Sequence, residues 1–279
     1  MSRKYLDPKN DLTFKRIFGE HKHLCMSLLN NLLKFEGDSR IKSLEYQTPE
    51  LLPELDILKH SIVDVKCLDE AGRTFIVEIQ LYWSNSFRAR TLLNTAKTYS
   101  RQLDSAKKYS DLRPVFSLCL VNDVIETDDE LSGKYYWEYG IREKYHDKHI
   151  PGFDFVFIEL PKFKPVNPAH KTMFDLWLSL LTQVDESTDE IPRELLENEK
   201  TKEAIKYLRE GAYTRAQMQA YDGFKDMSMI EVSVRHDAEM KGEAKGIAKG
   251  REKTLEEIME LIKQGVTVTE ETLKKLSKK

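Results

Sequence analysis

Residues 61–83, SIVDVKCLDEAGRTFIVEIQLYW, constrain the fold of this chain more than any other segment. Residues 62–65 and 75–79 are rich in β-branched and aromatic side chains, which favour strands. Residues 69–72, DEAG, lie between them and are typical of a turn. The segment therefore predicts two neighbouring β-strands, and the strands carry polar residues among apolar ones.

Four of those polar residues are predicted to converge. Side chains two apart on a strand share a face, so Asp64 pairs with Lys66 on one strand and Glu78 with Gln80 on the next. Two acids on adjacent strands can hold a hard divalent cation together with waters and phosphate oxygens. Spacing alone equally fits ordinary solvent-facing acids on a half-buried strand. Both interpretations stay open on the hairpin alone.

Further motifs occur in a fixed order around this hairpin: DLTFKRIFG at 11–19, VEIQ at 77–80, KY at 108–109 followed by PV at 114–115, and FIELPKF at 157–163. Together they resemble the Rpn family of recombination-promoting nucleases, a transposase-like branch of the PD-(D/E)xK nuclease superfamily. The resemblance covers roughly residues 5–165 and extends more loosely through the helical remainder. It implies an α/β fold, a restriction-endonuclease-like mixed sheet flanked by helices, followed by an all-helical C-terminal extension.

The resemblance also implies a metal-dependent DNA endonuclease. Asp64 matches the metal-binding Asp, Glu78 the first acid of the (D/E)xK element, and Gln80 the position that usually holds Lys. Asp11 matches an acidic position on the first helix and is a further candidate metal ligand. The implied cofactor is a divalent metal, Mg²⁺ first, with Mn²⁺ or Ca²⁺ as alternatives, and the implied partner is DNA.

Two positions depart from the superfamily pattern, because Val63 stands in place of Pro and Gln80 in place of Lys. A neutral amide can orient water through hydrogen bonds, but it cannot offset phosphate charge as an ammonium does. Lys66 could supply the missing cation, and a solvent-exposed strand lysine is the competing interpretation. The second functional hypothesis is therefore a catalytically weak nucleic-acid-binding or protein-interaction module on a nuclease fold.

Residues 86–110 predict an amphipathic helix. Its predicted core face contains Leu92, Ala96, Tyr99, Leu103 and Ala106, and its opposite face carries Arg90, Lys97, Arg101 and Lys108. That basic face suits either a solvated surface or a DNA-binding ridge. Arg88 falls on the inward-facing stripe near the end of the Glu78 strand, so it is a candidate to clamp a phosphate.

The distribution of charge and the cysteine content limit the classes of function that this chain can have. The net charge is -3, yet residues 1–110 are net +4 and the rest net -7, which favours a phosphate-facing N-terminal half. The three cysteines, Cys25, Cys67 and Cys119, lack CxxC spacing, which argues against zinc and suits a reducing cytoplasm. Neither a membrane span nor a secretory leader is expected. Phosphate-loop, nucleophile-elbow and HExxH motifs are missing from the sequence.

Three regions are predicted along the chain: a nuclease-like domain at 1–165, a helical extension at 166–234, and a tail at 235–279. Within the tail, KGEAKGIAKGR at 241–251 repeats Lys and Gly every four residues. Each mid-helix glycine costs about 1 kcal/mol relative to alanine, so this segment is a weak helix unless another helix packs closely. Disorder, a homodimer through the C-terminal helices, and a lysine arm on DNA are the alternatives.

Overall fold

The computed structural model describes residues 3–48, 50–51, 61–103, 108–125, 131–165 and 171–263. The helices are α1 (Asp11–Phe14), α2 (Lys22–Leu32), α3 (Asn85–Ser100), α4 (Met173–Gln183), α5 (Arg193–Glu197), α6 (Glu199–Lys206) and α7 (Arg215–Lys263). The strands are β1 (Leu44–Tyr46), β2 (Glu50–Leu51), β3 (Ser61–Ile62), β4 (Val65–Asp69), β5 (Thr74–Gln80), β6 (Val115–Val121), β7 (Tyr136–Arg142) and β8 (His149–Glu159). A π-helical turn, Lys15–Gly19, continues α1.

Six strands form one mixed sheet in the order β1-β4-β5-β6-β8-β7, and β2 pairs with β3 separately. Strands β5, β6 and β8 run parallel, whereas β1, β4 and β7 join by antiparallel pairing. Helix α3 connects β5 to β6, as a parallel pair requires a crossover. The predicted mixed sheet flanked by helices is confirmed, and the part of the C-terminal region that the structure describes is helical.

The two faces of the sheet have different cores. Alternate residues of the central strands, including Val77, Leu118 and Ile158, pack with α1, α2 and α4 in the larger core. On the other face, Cys119 and Phe157 pack against Phe87 of α3 in a smaller aromatic cluster. The sheet is therefore buried on both sides near its centre, as parallel strands usually are.

The helices after the sheet contribute to the larger core. Thr172 and Asp175 form a reciprocal capping box at the start of α4, and Trp177 of α4 is fully buried against Phe18. The chain divides into compact units at residues 1–225 and 226–279. Helices α4, α5 and α6, within the predicted 166–234 extension, thus belong to the same unit as the sheet. Residues 264–279 of the predicted tail lie outside the described residues.

Helix α3 buries a different face from the predicted one. It ends at Ser100 rather than near residue 110, and Leu92 and Leu93 are 52% and 50% exposed. The side chains that face the sheet are Phe87, Thr91, Asn94, Thr95 and Thr98. The hydrophobic-stripe prediction is wrong because hydroxyl and amide groups on this helix find buried partners, such as Thr95 Oγ1 with Ser117 Oγ at 2.7 Å. Ala106 lies outside the described residues.

Candidate metal-dependent nuclease site

The structure brings Asp64 and Glu78 together across the β4–β5 hairpin. Val65 pairs with Val77, so Asp64, one residue before, lies opposite Glu78, one residue after. Asp64 precedes β4 rather than lying within a strand, because its Oδ2 accepts a 2.6 Å hydrogen bond from the Ile79 backbone amide. The Asp64 side chain thereby replaces a backbone acceptor, and this hydrogen bond fixes the carboxylate at the open end of the hairpin.

Glu78 is buried, yet its carboxylate has weak partners. Only 4% of the residue is exposed. Asn94 Nδ2 of α3 donates to Glu78 Oε1 at 3.4 Å, and Arg90 Nη2 lies 3.8 Å from Oε2. Neither contact has the short geometry of a strong charge-assisted hydrogen bond. The position therefore favours a further cation beside this carboxylate.

Both acids carry the electrostatic signature of a cation site. Burial raises the pKa of Asp64 to about 7, the Ile79 amide opposes that rise, and the charges of Asp11 and Glu78 add to it. Burial also raises the pKa of Glu78, against the lowering effects of Arg90 and Asn94. Two desolvated carboxylates that repel each other are stabilised by a shared positive charge.

Asn94 is a site residue that the sequence prediction missed. It is fully buried, and its Oδ1 has no hydrogen-bond partner among the described residues. Since a carboxylate only accepts, the amide nitrogen faces Glu78 and the oxygen is left over. The signal was present in the sequence, because Thr91, Asn94, Thr95 and Thr98 form a polar stripe at helical spacing.

These groups fit a hard divalent ion. Asp64, Glu78 and Asn94 offer oxygen atoms only, the ligand type that Mg²⁺, Mn²⁺ and Ca²⁺ accept. Within the described ranges, no group of three or more His, Cys, Asp or Glu side chains could hold a metal ion. Asp11 does not complete such a group: its Oδ1 pairs with Lys15 Nζ at 2.7 Å, and its charge acts on Asp64. The candidate donor set is therefore an acid pair with an amide oxygen.

Arg90 lies at the acids, contrary to its predicted place on a face away from the core. Its Nη2 donates to Gln80 Oε1 at 3.1 Å, so one guanidinium contacts both Gln80 and Glu78. Lys66 is half-buried, and burial, with a smaller effect of Arg101, lowers the pKa of its ammonium. Lys66 and Arg101 thus form a second basic pair, close enough for the charge of Arg101 to act on Lys66.

The other predicted DNA-contacting residues are placed on α3. Lys97 is half-buried in the last turn of the helix. Arg88 is exposed, with its guanidinium carbon 5.0 Å from the centre of the Trp83 ring. The prediction that Arg88 points inward is wrong, because the turn before α3 brings Trp83 against Phe87 and leaves Arg88 at the surface.

A mixed sheet flanked by helices, with two carboxylates together at the open end of the antiparallel β4–β5 hairpin, defines an α/β protein with a candidate cation site. Comparison with known proteins agrees. The sequence matches the family described as PD-(D/E)XK nuclease family transposase over residues 8–234, and the chain belongs to that family. Searches of curated proteins and of solved structures each found no match.

Proposed function

We propose that this protein is a metal-dependent DNA endonuclease of the recombination-promoting type. The observation that carries the proposal is the pairing of Asp64 with the buried Glu78 at the open end of the hairpin, where both carboxylates are desolvated. Family membership supports a hydrolase that acts on nucleic acid. Buried free cysteines support a reducing, cytoplasmic setting for the reaction.

In this proposal, Asp64, Glu78 and the Asn94 oxygen hold one divalent ion, with Mg²⁺ the first candidate. When bound, the ion supplies Lewis-acid stabilisation of charge on the scissile phosphate and lowers the pKa of a bound water. Asp11 tunes the site through its charge on Asp64. Gln80 orients water or phosphate by hydrogen bonding, as its amide allows.

In the superfamily, the position of Gln80 usually holds a Lys, which supplies a positive charge. We assign that role to Arg90. Its contact with Gln80 places a fixed positive charge at the position where the superfamily usually has Lys. Arg90 is half exposed, so its remaining donors can reach a phosphate oxygen. Lys66 and Arg101 then grip the neighbouring backbone, and Lys97 and Arg88 extend the basic surface along α3.

Nicking of supercoiled plasmid by the full chain tests the proposal. We expect cleavage with Mg²⁺ or Mn²⁺ that is lost with chelator and falls at least about 100-fold in Glu78→Gln, since removing a group that stabilises transition-state charge has effects of that size. Glu199→Gln, the same change at an exposed glutamate of α6 outside the acid pair, is the matched control. Equal nicking by wild type and Glu78→Gln would refute the assignment.

A second candidate is a nucleic-acid-binding or protein-interaction module with little catalysis. The observation that favours it is the neutral Gln80 in place of Lys, together with a donor set of two acids rather than three. Metal-independent retention of DNA without nicking would support this function. Robust nicking that Glu78→Gln abolishes would exclude it.

We also propose that the chain forms a homodimer through α7. In the first half of this helix, Met227, Ile230 and Val234 are more than 60% exposed and recur at helical spacing. Space is open around the positions where Cβ atoms would stand on Gly242, Gly246 and Gly250. An apolar stripe and small residues on one helix suit close packing of a second helix. Among the described residues, no helix is long and apolar enough to cross a membrane.

A further inference from the structure

A groove of about 480 Å³ lies beside α3 on the sheet face that carries the smaller core. One wall is Arg88, Leu92 and Ala96 of α3, and the other is formed by β7 and β8. Aromatic rings dominate the second wall: Tyr139, Phe153, Phe155 and Phe157. Its volume is in the range of small-ligand sites, and no function described above uses it.

The groove stays open to solvent although its floor is apolar. Tyr139 is 45% exposed and Leu92 is 52% exposed, while Phe155 and Phe157 beneath them are buried. Tyr139 lies edge-on to Phe157, with ring centroids 5.8 Å apart, so the rings form a fixed surface. A rigid, partly exposed aromatic wall is suited to flat ligands that stack.

The charges around the groove favour an anionic polymer. Arg88 lines its edge, and α3 contains three basic residues and no acidic one. Glu138 and Asp154 alternate with the aromatic residues of β7 and β8 and project to the opposite face. Consistent with this, Tyr136, two residues from Glu138, donates to Leu32 O of α2 on that opposite face. Glu159, on the same face as Phe157, is fully buried and is paired with Lys162 at 2.9 Å.

Helix α3 connects the groove to the acid pair. At 3.6 residues per turn, Arg90, Asn94 and Arg101 lie on one flank of the helix, and Arg88, Leu92 and Ala96 lie on the other. The first flank contacts Glu78 and Gln80, and the second forms the groove wall. A helix is about 10–12 Å across. A strand held at the acids can therefore place neighbouring nucleotides over α3 and into the groove.

We infer that the groove is a binding site for unpaired nucleobases of the DNA strand that is cut. Phosphates contact the basic residues of α3, and one or more bases leave the duplex stack to lie on Tyr139 and the phenylalanines. Every base has a flat π-face, so such a site needs no sequence preference. This inference rests on the proposed nuclease function and specifies its substrate as DNA with an unpaired segment.

The test is binding of the full chain to a single-stranded oligonucleotide carrying 2-aminopurine, measured with EDTA so that no cleavage occurs. We expect quenched fluorescence on binding and an affinity about five- to 150-fold lower for Tyr139→Ala, the range found when a stacking side chain is removed. Tyr139→Phe keeps the ring and should bind like wild type. Tyr145→Ala removes a tyrosine that is 81% exposed outside the groove and is the matched control.

Affinity for a fully paired duplex should be nearly the same in wild type and Tyr139→Ala, because paired bases stay in the stack. Circular dichroism checks folding, and Leu92→Ser, on the opposite wall, gives an independent loss of single-strand affinity. Unchanged single-strand affinity in both folded variants overturns the inference. It is also overturned if Tyr139→Ala alters only the monomer–dimer equilibrium, which would assign the groove to a second copy.

This binding assay and plasmid nicking can fail separately. Groove-dependent oligonucleotide binding without any nicking would refute the endonuclease proposal and leave the base-binding site in place. If nicking depends on Glu78 but the affinity for single-stranded DNA does not depend on Tyr139, the endonuclease proposal stands and the base-binding site is refuted.

Discussion

Replacing Asp64 by Asn should stabilise the metal-free protein at neutral pH. The folded state raises the pKa of this carboxyl from 3.8 to about 7, chiefly by burial. Between these pH values the folded state binds more protons at Asp64 than the unfolded state does. The contribution of Asp64 to the free energy of unfolding therefore falls as pH rises. That contribution is fully present below about pH 4 and lost above about pH 7.

The magnitude follows from the pH interval. One pKa unit corresponds to about 1.4 kcal/mol. The two units between about pH 5 and pH 7 therefore lower the free energy of unfolding of the wild type by up to about 2.7 kcal/mol. Because Asp64 is only partly buried by surface area, we expect about 2 kcal/mol. Asn cannot ionise, and its side-chain oxygen can still accept the Ile79 amide hydrogen.

Urea unfolding in EDTA, followed by circular dichroism at about pH 5 and about pH 8, measures the effect. The free energy of unfolding of Asp64→Asn relative to wild type should rise by about 2 kcal/mol between the two pH values. Asp38→Asn, at an exposed aspartate, is the control and should show a much smaller change. An Asp64→Asn difference that is the same at both pH values would refute the buried, repelling carboxylate pair.

Three further predictions concern the metal, the arginine and the dimer. The affinity for Mn²⁺, measured by calorimetry, should rise about tenfold from about pH 6 to pH 8, because Asp64 with a pKa of about 7 must lose its proton to bind the ion. An affinity that does not change with pH would contradict this prediction. Arg90→Ala should lower the nicking rate by about 10- to 100-fold, and it should cost less than about 1 kcal/mol of stability because Arg90 is half exposed. Adding Gln80→Lys to that variant should restore part of the rate. Full activity of Arg90→Ala would contradict the role of Arg90. Ile230→Asp should shift sedimentation from dimer to monomer with an unchanged melting temperature of the sheet-containing unit; a monomeric wild type at all concentrations would contradict the dimer.

The hairpin acids could be placed from the sequence because both the strand signals and the pairing are local. Asp64 and Glu78 face each other as their spacing predicts. The strand order β5-β6-β8-β7 depends on crossovers and long-range pairing, which local periodicity does not encode. The Asp64 side chain also takes a backbone partner, so β4 begins later than the strand pattern predicts.

The α3 residues show where hydrophobic periodicity misleads. Leu92 and Leu93 indicate a core face, yet the buried face is Thr91, Asn94, Thr95 and Thr98, where Asn94 meets Glu78 and Thr95 meets Ser117. Buried polar side chains are tolerated where partners or ligands satisfy them, and such positions are concentrated at functional sites. The same change of buried face brings Arg90 to Glu78 and Gln80 and places Arg88 at the edge of the groove.

The shared ion is tested most directly by anomalous diffraction from a crystal soaked in Mn²⁺. Asp64 and Glu78 lie opposite each other, and both are desolvated carboxylates beside the buried amide of Asn94. We predict one anomalous peak within about 2.0–2.6 Å of oxygen atoms from both carboxylates, the range for hard divalent ions. Mn²⁺ bound elsewhere, or the two carboxylates left without an ion at saturating concentration, would contradict the account.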